Sequence, residues 1–270
     1  MPELPEVETI VRDLRLMVTQ KTIESVRVLR PNVVKGAEDI FKSTLIGKSF
    51  NSISRRGKNI VLHMSHEYVL VINLGMTGRL ALDTDDSVLT HPAVQFQLDR
   101  GKSLVYDDIR RFGTLRLFKK IDWTNQSNRL GPEPLSPNYK WTDLHENLSS
   151  SRSPIRSWLL NQKNLAGVGN IYANEALHLA GVHPQRPSNR LAKPESKLLH
   201  QSLIAILNNA IENRGTTLRN YRDATGLQGN NKPNLKIYGR HEQACFGCKS
   251  LVERIVFSNR SAFFCPSCQS

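Results

Sequence analysis

Four cysteines constrain this chain more than any other feature. Cys245 and Cys248 are separated by two residues, sixteen residues follow, and Cys265 and Cys268 repeat the spacing; the 270 residues hold no other cysteine. Two C-x2-C pairs at that separation have the spacing of a four-thiolate zinc site, in which one tetrahedral ion closes a hairpin. A redox dithiol pair is the competing reading, but an intracellular chain has little use for four cysteines in disulfides. Because the protein fills all four ligand positions, a single Zn2+ here is expected to be structural. Arg254 and Arg260 lie between the two pairs and would be displayed on that hairpin.

Charge indicates what the hairpin serves. Thirty-seven Lys and Arg residues against 24 Asp and Glu give a formal net charge of +13, mixed through the chain and not gathered in a tail. A surplus of that size on folded surface is the footprint of a polyanion-binding protein, although solvated basic faces also occur in ribosome-associated and thermostable proteins. The 39% hydrophobic content argues for a globular chain, and its length admits two domains with separate cores. No apolar run approaches the ~18 residues of a membrane helix, and the acidic start is unlike a targeting peptide. The protein is therefore expected in the cytoplasm.

The start of the chain is Met1-Pro2-Glu3-Leu4-Pro5-Glu6-Val7-Glu8. Pro5 suits the first turn of a helix, Glu6 and Glu8 suit its positively polarised end, and Val7, Ile10, Val11 and Leu14 mark one buried face. The spacing predicts a helix over 5–16 with Pro2 and Glu3 just outside it. If Met1 is removed, Pro2 becomes a secondary amine with a pKa nearer ~8 than the ~10.4 of lysine. Such an amine can attack a sugar carbonyl carbon and form an iminium, with Glu3 beside it as proton donor or acceptor. In the plainer reading these two residues only lead into the helix, and with Met1 retained Pro2 is an unreactive amide.

Strands are expected at 23–29, 52–54, 60–64, 68–74, 94–98 and 104–106, with a second helix at 38–45. Short strands in succession suggest an N-terminal β-sandwich flanked by helices. Two connections are basic: 54–59, with Arg55, Arg56 and Lys58, and 107–113, with Arg110, Arg111 and Phe112. A third, Leu74-Gly75-Met76-Thr77-Gly78, sets a methionine among glycines. An exposed methionine or phenylalanine beside arginines can wedge between bases, though either more often packs in a core. The proline-rich 130–137 segment marks a break, after which the periodicity becomes helical at 155–159, 170–179 and 195–213. The turn 164–170, with Gly167 and Gly169 ahead of Asn170, suits either a phosphate or tight helix packing. Residues 216–236 are expected to form a flexible loop. The division is thus a catalytic β-sandwich domain over 1–131, a linker over 132–150, a helical domain over 151–235 and the hairpin over 236–270. The class is α+β.

Pro2-Glu3, the Gly57-Lys58 turn, Arg110-Arg111-Phe112-Gly113, Gly167-Val168-Gly169-Asn170 and the four-cysteine hairpin together resemble formamidopyrimidine-DNA glycosylase, the bacterial base-excision family for oxidised purines. The likeness covers nearly the whole chain. The run PELPEVE is specific to it; the sister family, endonuclease VIII, usually begins PEGPE. The resemblance implies a glycosylase with AP lyase activity, acting as a nucleoid-associated monomer on double-stranded DNA with oxidised bases or abasic sites. It also implies roles. Pro2 resembles the nucleophile at C1′, Glu3 the acid that protonates the opening sugar, and Lys58 a second catalytic cation. Glu6, grouped with the DNA-contacting set, resembles a buried carboxylate supporting the site. Asn170, on a helix–two-turn–helix element, and Arg260 resemble the grip on the phosphates flanking the lesion, Arg260 being counted with the catalytic set. Met76, Arg110 and Phe112 resemble the residues that fill the gap left by the everted base, Arg110 facing the orphaned cytosine.

Three positions depart from the family pattern. Asn231-Lys232-Pro233-Asn234-Leu235 replaces the aromatic or Met, Gln, Asn, Glu, Leu of the lesion loop; Arg260-Ser261-Ala262 replaces Arg-x-Thr; Asn73 stands where His is common. These leave lesion preference open. An endonuclease VIII-like glycosylase for other oxidised bases, a damage-binding protein without catalysis, and a zinc-ribbon ribosomal or transcription factor remain the alternatives.

Overall fold

The computed structural model describes residues 2–83 and 89–270. Met1, whose removal the Pro2 chemistry requires, lies outside the described residues. The chain divides into two compact units, Met1–Arg129 with Ile211–Lys232, and Leu130–Ala210 with Pro233–Ser270.

The first unit begins with α1 (Leu4–Val18), β1 (Ile23–Val28) and α2 (Glu38–Leu45), followed by β2 (Phe50–Arg56), β3 (Asn59–Met64), β4 (Tyr68–Asn73) and β5 (Gly78–Asp83). It continues through β6 (Pro92–Leu98), β7 (Ser103–Asp108), β8 (Thr114–Lys119) and α3 (Lys120–Ser127). The strands form two antiparallel sheets, ordered β1-β6-β7-β5 and β2-β3-β4-β8. Between them lies one core: Val26, Leu80, Phe96 and Leu104 from the first sheet, Ile53, Leu62, Ile72 and Leu115 from the second, and Val7, Ile10, Val11 and Leu14 of α1. The helical spacing of those α1 residues is the one read from sequence. On the outer face of the second sheet, Val61, Val69 and Val71 pack under Trp123 of α3. A strand buried on both faces needs no polar alternation, which explains the unbroken apolar run of β4.

Pattern reading passes over β5, β8 and α3. In Thr114–Lys119 the exposed Arg116 separates two inward leucines, but the strand is only six residues long and is flanked by charge.

The second unit contains α4 (Trp141–Ser149), α5 (Ile155–Leu160), α6 (Asn170–Leu179) and all but the last two residues of α7 (Lys193–Glu212), then the hairpin of β9 (Glu253–Phe257) and β10 (Arg260–Phe264). Helix α4 lies where a linker was expected; it buries only Leu144 and Leu148, too thin a stripe to stand out in sequence. Residues 211–232, read from sequence as part of the helical domain, group with the first unit. The contacts are specific. Arg214 donates to Asp223 Oδ2 from Nε at 2.9 Å and from Nη2 at 2.5 Å, and its Nη2 also reaches Asp13 Oδ2 of α1 at 2.7 Å.

The segment after it, expected to be a flexible loop, is internally tied. Asp223 Oδ1 accepts the Thr225 N–H, the Thr225 hydroxyl and the Leu227 N–H at 2.9, 2.7 and 3.0 Å. Thr217 Oγ1 accepts the Gly229 N–H at 2.9 Å, and Asn231 donates to Thr216 Oγ1 at 2.9 Å. Asp223→Ala removes the buried carboxylate that the part-buried donors of Arg214, Thr225 and Leu227 share and is expected to destabilise the first unit by roughly 1–3 kcal/mol. Urea unfolding measures it; a change below ~0.5 kcal/mol would mean that the carboxylate organises nothing.

Candidate active site and nucleic-acid interface

Pro2 and Glu3 are buried at the start of α1. Glu6, 1% exposed, holds them there: its Oε2 accepts the Glu3 N–H at 2.8 Å and its Oε1 the Thr216 N–H at 2.7 Å. Gly215 has φ +80°, and a Cβ there would lie 2.9 Å from Glu6 Cγ, so only glycine lets this carboxylate reach the following amide. Tyr221 closes the cage, its hydroxyl 3.3 Å from Glu6 O. Burial, then the charge of Glu6, raise the pKa of Tyr221, which stays a neutral donor. Glu6 thus braces the N-terminus through both carboxylate oxygens.

Lys58 sits on the two-residue turn Gly57-Lys58 between β2 and β3, with Arg56 paired to Asn59. Gly57 takes φ +57°, as a tight hairpin demands. Arg55, one of the cations of this basic connection, brackets the turn to α1: its Nε donates to Glu8 Oε2 at 3.1 Å and its Nη1 to Gly57 O at 3.0 Å. Arg56 likewise turns inward, to Ser127 O at 3.1 Å. Asn73, the departure from histidine, links two loops. Its Nδ2 donates to Asn59 Oδ1 at 3.0 Å and its Oδ1 accepts the Gly75 N–H at 3.0 Å.

Met76, Arg110 and Phe112 come together. Arg110 Nη1 is 3.1 Å from Met76 Sδ, and its guanidinium lies 4.5 Å from the Phe112 ring centroid. Met76 is 41% and Phe112 58% exposed, so neither packs in the core.

In the second unit, Asn170 opens α6 after Gly169. Its Nδ2 donates to Ser261 O at 3.1 Å, which joins the helix start to the β10 strand that Arg260 begins. Sequence reading missed the residue between them. Arg156 of α5 is fully buried and its Nη2 donates to Asn170 Oδ1 at 2.7 Å and Ser261 O at 2.9 Å. Its guanidinium lies 4.7 Å from the Phe257 ring centroid, and burial, then nearby Arg260, lower its pKa to about 10. A basic residue on a helix of apolar periodicity was the only signal. Gln162 holds the glycine turn, accepting the Gly167 N–H and donating to Val168 O, both at 2.8 Å. Asn174 continues toward the hairpin, accepting the Phe263 N–H at 2.8 Å.

The sulfurs of Cys245, Cys248, Cys265 and Cys268 lie within 4.8 Å of one another. Converging thiols from two knuckles fit one tetrahedral metal ion.

These parts match known proteins as they match one another. The model of the formamidopyrimidine-DNA glycosylase N-terminal domain fits residues 1–115, and that of the formamidopyrimidine-DNA glycosylase H2TH domain fits residues 130–222. The chain belongs to the formamidopyrimidine-DNA glycosylase family. The formamidopyrimidine-DNA glycosylase of Desulforamulus reducens is 41% identical, covering 100% of this chain and 99% of its own; that of Streptococcus mutans is 39% identical over the same shares. Among solved structures, a mutant of Lactococcus lactis FPG in complex with Fapy-dG containing DNA superposes with a TM-score of 0.93 at 33% identity, over 100% of both chains. Lactococcus lactis Fpg with abasic-site DNA gives 0.92 at 34%, over 99% of both. As a formamidopyrimidine-DNA glycosylase family member, the chain has the α+β plan expected from its sequence, with a sandwich and a helical part ending in a cysteine cluster. Among the described residues, no helix is long and apolar enough to cross a membrane.

Proposed function

We propose that the protein is a base-excision-repair DNA glycosylase with AP lyase activity that removes formamidopyrimidines from duplex DNA. The observation that carries this is the buried Pro2-Glu3 pair held by Glu6 at the start of α1, on a chain of this family. With Met1 removed, the Pro2 nitrogen attacks C1′ of an everted nucleotide and the base departs. Glu3 protonates the opening sugar oxygen. The resulting iminium acidifies the neighbouring sugar carbons, so both phosphates leave in turn by β,δ-elimination. Lys58 stands near the scissile phosphate, and Asn170 with Arg260 grips the flanking ones. Met76, Arg110 and Phe112 occupy the vacated stack, Arg110 against the orphaned cytosine. The four cysteines would hold one Zn2+, which supplies no chemistry beyond fixing the hairpin. Borohydride tests the whole: a lyase becomes covalently joined to lesion DNA, whereas a damage binder or a zinc-ribbon factor is recovered free.

Lesion preference follows from the segment after Thr217. Lys232–Asn234 forms a short 3-10 helix, and Pro233 has no N–H to offer a base. With the usual lesion-loop pattern replaced, formamidopyrimidines and abasic sites are expected to be processed well, and 8-oxoguanine more slowly by about 10-fold, the worth of one lost base contact. Single-turnover rates on matched duplexes decide it; equal rates would show that the replacement is neutral.

A further inference from the structure

Beneath the exposed side chains of Met76, Arg110 and Phe112, one buried carboxylate joins the loops that carry them. Asp108 is 1% exposed. Its Oδ1 accepts the Thr77 hydroxyl at 2.6 Å and the Arg110 backbone N–H at 3.2 Å. Its Oδ2 accepts the Tyr106 hydroxyl and the Gly113 N–H, both at 2.9 Å. Thr77 Oγ1 in turn accepts the same Arg110 N–H at 3.0 Å. An ionised carboxylate has about four acceptor sites, and these four donors fill them. Two come from the arginine loop, one from the methionine loop and one from β7 beneath both.

The arginine loop is otherwise open to solvent. Residues 109–112 are all exposed, and only Asp108 and Gly113 at the ends of that stretch are buried. Arg111 takes φ +56°, an unfavourable conformation for a side chain of its size that must be imposed from outside. The loops also meet backbone to backbone: a Cβ on Gly75 would lie 2.6 Å from Gly113 N and 2.7 Å from Phe112 C. A Cβ on Gly78 would lie 2.6 Å from the Tyr106 hydroxyl. Burial, then Asp108, hold the Tyr106 hydroxyl protonated far above its ordinary range, so it serves as a fixed donor.

We propose that Asp108 is a positioning residue that makes Met76, Arg110 and Phe112 a single preset unit and thereby sets discrimination for the base opposite the lesion. The proposal rests on the reading that these side chains fill the gap left by the everted base. Arginine recognises a base edge well only from a fixed fork, and a free side chain loses ~2 kcal/mol of rotamer entropy on fixing. Asp108 anchors the backbone N–H of Arg110, one bond from the Cα that carries that side chain.

Asp108→Asn keeps the shape but presents an NH2 group to two of the four donors. The test compares single-turnover excision of a formamidopyrimidine opposite cytosine with excision opposite adenine. It also measures borohydride trapping on a single-stranded abasic oligonucleotide, which has no opposite base. The cytosine-to-adenine ratio is expected to fall about 10-fold in Asp108→Asn, while single-stranded trapping stays within about 2-fold of wild type. Tyr106→Phe, which removes one donor and leaves the carboxylate, should lower the ratio about 3-fold and carries the test if Asp108→Asn does not fold. An unchanged ratio in a folded variant, or a parallel loss of single-stranded trapping, overturns the proposal. Wild-type protein that excises without any opposite-base preference overturns the gap-filling reading itself.

Discussion

A variant with an uncleaved residue ahead of Pro2 is expected to give no borohydride adduct with abasic-site DNA, a loss on the order of 10^4-fold or more. The prolyl nitrogen can attack C1′ only as a free secondary amine. In an amide its lone pair is delocalised into the carbonyl. Near neutral pH the free amine, with a pKa around ~8, is partly unprotonated, which no lysine achieves without help. Pro2→Gly keeps a terminal amine and should retain a fraction of trapping. Glu3→Gln should separate the two activities, trapping preformed abasic sites while losing base release by about 10^2-fold to 10^4-fold. Intact-mass analysis of active protein should show Met1 absent. Full activity with Met1 in place sinks the proposal, as does Pro2→Gly that traps as well as wild type.

How far such a site is legible in sequence depends on whether its residues are local. The α1 helix declares itself through Pro5 and the spacing of Val7, Ile10, Val11 and Leu14, all within two turns. The cysteine cluster is legible because a metal demands ligand types and spacings that little else does. Met76, Arg110 and Phe112 are chemically conspicuous, and the structure brings them together. Their organiser Asp108 is not conspicuous, because an aspartate at a strand end reads as ordinary turn chemistry. Only the fold reveals that Thr77, 31 residues away, shares it. Arg156 is hidden for the same reason: its partners are Asn170 and Ser261, the latter 105 residues away. Residues 216–236 mislead most. Their polar, glycine-containing composition reads as a flexible loop, whereas Asp223, Thr217 and Asn231 turn that polarity inward and satisfy it locally. Polar residues signal disorder only when they lack partners, and partners of this kind are not visible in sequence.

Chelation is expected to abolish DNA binding while the first unit remains folded. The apolar cluster at the hairpin consists of Ile237, Cys245, Val252 and Cys265, with Phe263 packed against it. Two of its four buried members are themselves proposed metal ligands. Burying Ile237 and Val252 contributes roughly 1.5–3 kcal/mol each. Ordering the backbone costs about 1–2 kcal/mol per residue, so the hairpin cannot fold on its apolar contacts alone. Structural zinc contributes apparent values of about 10–16 kcal/mol, which is enough to reverse that balance. The core of the first unit draws only on residues of Met1–Arg129 and Ile211–Lys232, so its unfolding transition should survive chelation. Arg260 opens β10 and has no placement once that strand is lost. Arg260→Ala should therefore reproduce part of the effect with the metal still bound, weakening lesion-DNA binding by about 1–3 kcal/mol and reducing its salt dependence by roughly one phosphate contact. Metal content, circular dichroism and DNA titration on the same sample separate the steps. If the chelated protein binds lesion DNA as tightly as the untreated protein, the hairpin is dispensable for binding and Arg260 grips no phosphate.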